Sequence, residues 1–155
     1  MKLTFAILLA AVVSVFSVQQ ASAHCQVPCG IYDDNNVIQS MHTDAVTIEK
    51  AMKQIAELSA DTAANAQQLV RWTNNTESHA QAVQEKVLNY FLAQRLKVPA
   101  DDADDAAKAA YAAKLGLCHQ VIVTCMKCKQ TTDTANAEKL HALLKDFQDH
   151  FGEKK

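Results

Sequence analysis

The spacing of apolar residues along this chain is the feature that most constrains its fold. The first clear stripe recurs at steps of three and four residues, which places its members on one face of an α-helix. Its members are Val37, Met41, Ala45, Ile48, Met52, Ile55 and Leu58. This stripe predicts a helix from about residue 35 to residue 60. Sustained alternation of apolar and polar residues, which would indicate strands, occurs nowhere, and 155 residues include only three glycines and two prolines.

A second helix is predicted from Thr62 to Leu96, with Asp61 as its N-cap. The polar stretch at residues 74–76 is a candidate interruption or bend in this helix. Pro99 ends the segment, because the residue before a proline is pushed out of the α region.

Two further helices are predicted beyond this proline. The third covers roughly residues 102 to 129 and begins among aspartates, which suit the positive end of a helix dipole. The fourth covers about residues 134 to 151 and ends at Gly152. Its inward face is expected to carry Leu140, Leu143, Leu144, Phe147 and Phe151. Four long amphipathic segments with short connections predict an all-α domain, an antiparallel up-down four-helix bundle.

The first 23 residues have the organisation of a secretory signal peptide. Lys2 provides the positive start, an apolar run follows to about Phe16, and Ala21-Ser22-Ala23 matches a small-residue cleavage site. We expect cleavage before His24 and export to a periplasm or to the medium; a cytoplasmic or organellar location is less consistent with this segment. Removing 23 of 155 residues leaves 132, enough for one domain over residues 24–155.

The predicted mature N-terminus concentrates metal donors in one short stretch, His24-Cys25-Gln26-Val27-Pro28-Cys29-Gly30-Ile31-Tyr32. We call residues 24–32 the hook. Pro28 and Gly30 allow a tight reversal of the backbone that would bring Cys29 back beside Cys25. Thiolates and imidazole bind several transition metals. Cleavage before His24 would add a free α-amine, whose proton a metal ion can displace near neutral pH.

Two interpretations of the hook follow from its residues alone. If the α-amine and the Cys25 thiolate bind one ion, the amide nitrogen between them lies within reach of the same ion. Such a planar nitrogen–sulfur chelate favours nickel(II) or copper(II) over tetrahedral zinc. The alternative is a disulfide loop between Cys25 and Cys29 in an oxidising compartment, and spacing alone favours that alternative.

The pattern His-Cys-x-x-Pro-Cys-Gly-x-Tyr at a processed N-terminus resembles the nickel superoxide dismutases, whose fixed positions it matches throughout. The resemblance implies a nickel ion bound by the amine and, in the oxidised state, the imidazole of His24. The backbone amide and thiolate of Cys25 and the thiolate of Cys29 would complete the ligand set. It also implies one nickel ion per chain, cycling between the +2 and +3 states while superoxide becomes oxygen and hydrogen peroxide. The family assembles as a hexamer of four-helix bundles, so a homohexamer is expected.

The site implied by this resemblance includes two tyrosines and departs from the better-known members in two respects. Tyr32 matches a family tyrosine that helps to order the substrate pocket near the nickel. Tyr90 looks like a second pocket tyrosine, and an ordinary core residue is the alternative at that position. Gln26 stands where the better-known members carry aspartate. Those members also hold the ligand imidazole with a glutamate and an arginine, and the positions that register offers for them here are Gln39 or Ser40 and His79.

Charge and the remaining cysteines limit the other functions of the chain. The net charge of −2 at pH 7 and the lack of a basic cluster argue against nucleic acid as a partner. No second apolar span like the signal segment follows, so we expect no membrane contact after processing. The five cysteines cannot all pair within one chain. Cys118, Cys125 and Cys128 fall near one helical face and are predicted to be buried thiols or a local disulfide rather than a redox centre.

The hook favours a nickel-dependent superoxide dismutase, and two rival functions use the same residues. The first rival is an exported helical metal-binding or metal-delivery protein that holds copper, nickel or zinc without turnover. The second is a disulfide-containing interaction module. Metal analysis of the mature protein, together with superoxide turnover on the same sample, would distinguish the three.

Overall fold

The computed structural model describes residues 27–152 and contains four α-helices over that range. They are α1 (Asp34–Leu58), α2 (Thr62–Glu85), α3 (Asp105–Gln130) and α4 (Ala135–Phe151). A 3₁₀ turn at Ser59–Asp61 joins α1 to α2, and a π-helical segment at Lys86–Arg95 continues α2. The chain forms no strand between residues 27 and 152. The predicted signal peptide and hook residues 24–26 lie outside the described residues.

The helices pack antiparallel around one core. α1 packs against α2 and α4, and α3 packs against the same two helices. The connections between α1 and α2 and between α3 and α4 are only a few residues long, so consecutive helices run in opposite directions. This arrangement confirms the predicted all-α class.

Aspartate side chains begin three of the four helices. The carboxylates of Asp33, Asp61 and Asp104 each accept a hydrogen bond from the backbone N–H three residues further on, at 3.0, 3.1 and 2.7 Å. These bonds satisfy N–H groups that have no partner within the helix. The predicted cap at Asp61 is therefore confirmed. α3 begins later than expected, at Asp105, because Asp104 is the residue that caps it.

The second helix is regular where an interruption was expected and irregular further along. Residues 74–76 lie within the continuous helix α2. Thr76 is buried, and its hydroxyl donates to the carbonyl oxygen of Trp72 at 3.2 Å, so its polar group is satisfied within the helix. The irregularity is the π-helical segment at residues 86–95, where the backbone widens beside the hook.

The buried face of α1 begins with an acid rather than with an apolar residue. Its buried residues are Asp34, Ile38, Met41, Asp44, Ala45, Ile48, Ala51 and Met52. The predicted stripe placed Val37 inside, but Val37 is half-buried whereas Ile38 is fully buried. Asp34 faces the interior, and Ile38, four positions later, lies on the same face of the helix. A polar contact therefore sets the orientation of α1 at the hook end.

A continuous row of aromatic rings connects the hook to the core. The Tyr90 ring lies 4.9 Å from that of Phe91, and the Phe91 ring lies 4.6 Å from that of Phe147. Phe147 stacks on Phe151 at 4.4 Å. The predicted inward face of α4 is confirmed, since Leu140, Leu143, Leu144, Phe147 and Phe151 are all buried.

Three thiols lie in the buried face of α3. Cys118, Cys125 and Cys128 are buried and form no disulfide. Burial raises the pKa of these thiols to about 11, 12 and 11, respectively. Each is therefore protonated at neutral pH, and a protonated thiol is a poor nucleophile. The prediction of buried thiols is confirmed, and their chemistry argues against a redox centre.

α3 is also the helix that could cross a membrane by length and composition among those in residues 27–152. Much of its apolar character comes from alanines in its first half. Its larger buried residues, including Leu117 and Val121, belong to the common core, where α3 packs against α2 and α4. Those contacts place one face of α3 in the common core.

Candidate metal centre

The described part of the hook is a tight turn over residues 27–30. The N–H of Ile31 donates to the carbonyl oxygen of Pro28 at 2.7 Å, and Gly30 has a φ of +79°. A type II turn requires a positive φ at its third residue, which Gly30 supplies. The peptide bond between Val27 and Pro28 is cis. The reversal predicted from Pro28 and Gly30 is therefore confirmed, and it leaves the Cys29 side chain at the surface.

The two tyrosines predicted for the substrate pocket are in contact. The ring of Tyr32 meets the ring of Tyr90 edge-on, with centroids 5.8 Å apart and an angle of 90° between the planes. Tyr32 is half-buried and Tyr90 is buried. Edge-to-face pairs of this kind stabilise a fixed orientation of both rings. Tyr90 of the π-helical segment thus contacts a residue of the hook, and its role in a substrate pocket stays a prediction.

The Tyr90 hydroxyl is saturated by the residues that begin α1. It accepts a hydrogen bond from the backbone N–H of Asp33 at 2.8 Å and donates to Oδ1 of Asp34 at 2.8 Å. Burial, followed by the hydrogen bond to Asp34, raises the pKa of Tyr90 to about 12. The phenol therefore keeps its proton at neutral pH and shares it with the Asp34 carboxylate.

Asp34 and Arg95 form a two-pronged ion pair beneath the tyrosines. Nε of Arg95 donates to Oδ1 and Oδ2 of Asp34 at 2.8 and 3.0 Å, and Nη2 donates to Oδ2 at 2.7 Å. Asp34 is 2% exposed, and a buried carboxylate is costly unless an opposite charge pairs with it. The hydrogen bonds to Asp34 raise the pKa of Arg95 above its usual value. The Arg95 guanidinium also lies 4.5 Å from the centroid of the Tyr32 ring.

Sequence reasoning did not identify Asp34 or Arg95 as part of the site. Asp34 precedes the predicted start of α1, and Arg95 lies at the end of the second predicted helix. They are 61 residues apart, and no local spacing rule connects them. The sequence offered one signal, an arginine five residues after Tyr90. Residues with this spacing share a face of the helix only if the helix is a π-helix.

A cleft of about 280 Å³ opens between the hook turn and the second helix. Val27 and Pro28 line one side of it, and Lys86, Asn89 and Tyr90 are among the residues that line the other. Nζ of Lys86 lies 2.5 Å from Oδ2 of Asp44. Because this carboxylate pairs with Lys86, the ammonium group does not present an isolated charge to the cleft.

The candidate partners of the His24 imidazole have contacts of their own. Nδ1 of His79 shares a hydrogen bond of 2.8 Å with Oδ1 of Asp44. The Ser40 hydroxyl donates to the carbonyl oxygen of Val37 at 2.8 Å, and Gln39 is exposed. His24 lies outside the described residues, so the partner of its imidazole stays a prediction.

The described part of the hook fits the predicted nickel site, because it presents one of the predicted donors, Cys29, at the surface. Between residues 27 and 152, no cluster of three or more histidine, cysteine or acidic side chains could hold a metal. Cys29 is exposed at the turn, and the chain entering that turn carries the other predicted donors, His24 and Cys25, which lie outside the described residues. Thiolate with amine and imidazole is a donor set that suits nickel.

Comparison with known proteins identifies one family. The family described as nickel-containing superoxide dismutase matches residues 19–155, a range that includes the hook and all four helices. No curated protein matches the chain. No solved structure matches it either. The family match covers far more than half of the sequence, and it includes the His-Cys-x-x-Pro-Cys-Gly-x-Tyr pattern. The chain belongs to the nickel-containing superoxide dismutase family.

Proposed function

We propose that this chain converts superoxide to oxygen and hydrogen peroxide at the hook, residues 24–32. The amine and imidazole of His24, the amide and thiolate of Cys25 and the thiolate of Cys29 would hold one nickel ion per chain. The observation that carries this assignment is the geometry of the turn. Gly30 and Pro28 reverse the backbone and leave Cys29 exposed, three residues before Tyr32, whose ring contacts that of Tyr90.

The reaction sets clear requirements for these residues. Two superoxide anions and two protons give one molecule of oxygen and one of hydrogen peroxide, so the site must admit a small anion twice in each cycle. When bound, nickel supplies a one-electron couple between its +2 and +3 states. The thiolates of Cys25 and Cys29 are anionic, so they stabilise the higher charge by Coulomb attraction. An exposed turn leaves one side of the site open to the substrate.

Tyr32 and Tyr90 have different tasks in this proposal. Tyr32 is half-buried three residues after Cys29, where its ring would form a wall of the substrate pocket. Tyr90 is fixed by two hydrogen bonds of 2.8 Å each and orders Tyr32 through the edge-to-face contact. Tyr90 keeps its phenolic proton and donates it in a hydrogen bond to Oδ1 of Asp34, which makes Tyr90 an orienting group rather than a source of protons for peroxide.

The assembly and the location of the enzyme are part of the same proposal. Cleavage after Ala23 would expose the amine of His24 and deliver the protein outside the cytoplasm. We propose an up-down four-helix bundle that carries the hook at one end and assembles into a homohexamer. The signal-peptide pattern supports cleavage and export, and the family resemblance supports the bundle and the homohexamer.

A single added residue tests the role of the amine. The mature chain starting at His24 is compared with the same chain preceded by one alanine, and the mass of each N-terminus is verified. In the extended chain the α-amine becomes a peptide nitrogen, whose lone pair is delocalised into the carbonyl. We expect the extended form to lose nickel-dependent superoxide decay, while its far-ultraviolet circular dichroism stays unchanged.

A Cys29→Ser variant of the mature chain serves as the control that lacks one thiolate. It should also lose nickel and turnover while keeping the helices, because Cys29 lies outside the core. Full activity of the alanine-extended chain would refute the amine-ligand site. A site built from side chains alone, or a Cys25–Cys29 disulfide loop, would tolerate the added alanine.

A further inference from the structure

Three side chains of the π-helical segment contact residues on both sides of Cys29, a predicted nickel ligand. The Tyr90 hydroxyl bonds to Asp33 and Asp34, and Arg95 bonds to Asp34. Nε2 of Gln94 donates to the carbonyl oxygen of Val27 at 3.3 Å. We call Tyr90, Gln94 and Arg95 the hook anchor. Its contacts reach both ends of the turn that carries Cys29.

The π-helical backbone makes this anchor possible. Residues five apart in an α-helix are separated by about 140° around the axis, so Tyr90 and Arg95 would point in different directions. Hydrogen bonds from residue i to residue i+5 define the π-helix, and the bond of 2.7 Å from Leu96 N–H to the Phe91 carbonyl oxygen has this spacing. In that geometry Tyr90 and Arg95 both reach the Asp34 carboxylate.

Arg95 is the member of the anchor that contacts both Tyr32, at the end of the hook, and Asp34, at the start of α1. Its guanidinium fork fills both oxygens of the buried Asp34 carboxylate, and the same group lies over the ring of Tyr32. A planar guanidinium can do both at once, whereas the compact ammonium of lysine cannot. Removing the fork would leave a buried carboxylate without its main partner.

We infer that Arg95, through Asp34 and Tyr32, is a positioning residue for the nickel site. The described contacts of Arg95 are with Asp34 and Tyr32. The arginine holds the start of α1 and the ring of Tyr32, and Tyr32 follows Cys29 by three residues, so Arg95 would orient the chain that leaves the nickel site. The predicted effect of Arg95 on turnover rests on the proposed function. The effect of Arg95 on the contact between Tyr32 and Tyr90 can be measured without metal.

The test compares Arg95→Lys, Arg95→Gln and Asp34→Asn with Arg71→Gln, a control on the exposed surface of α2. Each variant is prepared as the full mature chain. The metal-free form is examined by near-ultraviolet circular dichroism, which reports on the fixed tyrosine rings, and by thermal melting. The nickel-loaded form is examined by release of nickel to a chelator and by the dependence of superoxide decay on substrate concentration.

We expect Arg95→Lys to retain the helices and to bind one nickel ion per chain. Its near-ultraviolet tyrosine signal should weaken, its nickel should leave roughly tenfold faster, and kcat should fall about tenfold with little change in KM, in line with a loss of about 1.4 kcal/mol. Arg95→Gln should change the tyrosine signal, the rate of nickel release and kcat in the same directions, and by larger amounts. Arg71→Gln should match the unmodified enzyme in every measurement.

A double variant, Asp34→Asn with Arg95→Gln, tests whether the pair acts as one unit. If it does, the double variant loses little more than the more affected single variant. Additive losses, or an unchanged tyrosine signal together with unchanged nickel release in Arg95→Lys, would overturn the inference. Failure of the nickel site itself would appear separately, as activity that survives the alanine extension, while the metal-free tyrosine signal would still report on Arg95.

Discussion

At the scale of single residues, the backbone conformation of Gly30 determines where the Cys29 thiol lies. Its φ of +79° belongs to a region that side chains with a β-carbon avoid. A methyl group added there would meet no atom within 4 Å, so the glycine is required by conformation rather than by space. Gly116 is the useful contrast, since it lies inside α3 and also has nothing within 4 Å of an added β-carbon.

These two glycines predict opposite results for the same substitution. Gly30→Ala should weaken nickel binding by about tenfold, since holding alanine in the left-handed region costs roughly 1–2 kcal/mol. Gly116→Ala should raise the free energy of unfolding by about 0.5–1 kcal/mol, because alanine favours a helix interior. Chelator competition measures the first effect and urea unfolding measures the second. Equal nickel affinity in Gly30→Ala would show that the turn does not position the thiolate.

At the scale of elements, the regular helices could be predicted and the functional irregularity could not. The stripe of α1, the cap at Asp61 and the inward face of α4 follow local rules of spacing and capping. The π-helical segment at Lys86–Arg95 has no comparable local signature. Its backbone is selected by contacts with Asp33 and Asp34, more than fifty residues away. The apolar periodicity therefore identified neither Tyr90 nor Arg95 as a site residue. Tyr90 was predicted from the family resemblance, and Arg95 was not predicted.

The cap at Asp61 provides a test of element stability that should leave the chemistry unchanged. Asp61→Ala removes the acceptor for the Ala64 N–H and should lower the free energy of unfolding by about 1 kcal/mol. The residue lies in the turn between α1 and α2, so superoxide turnover should stay at its original level. Urea unfolding and superoxide decay are measured on one preparation. A stability loss below about 0.3 kcal/mol would indicate that water caps α2 equally well.

At the scale of the whole molecule, four buried groups that are neutral in the folded state should control the response to alkali. They are Tyr90, Cys118, Cys125 and Cys128, and their folded pKa values are raised to between about 11 and 12. In the unfolded chain the thiols ionise near pH 9 and the phenol near pH 10. Above these values the unfolded chain binds fewer protons than the folded one.

The free energy of unfolding should therefore be insensitive to these groups below about pH 9 and should fall as pH rises through 11 to 12. Each group that ionises only on unfolding adds up to about 1.4 kcal/mol per pH unit. Urea unfolding of the reduced, metal-free protein across this range measures the slope. Cys125→Ala should be less stable at neutral pH but should lose stability less steeply above about pH 9, and an equally steep fall in that variant would contradict the assignment.

The long separation between Arg95 and Asp34 also fixes an order of events in the life of the chain. Asp34 and the hook leave the ribosome first, and Arg95 follows 61 residues later. At about 5 to 20 residues per second, this delay is roughly 3 to 12 seconds. A nickel ion that arrives in that interval meets thiols on a segment whose tyrosine pair has not yet formed. The ion pair that holds the ring of Tyr32 can therefore form only once the second helix has been synthesised.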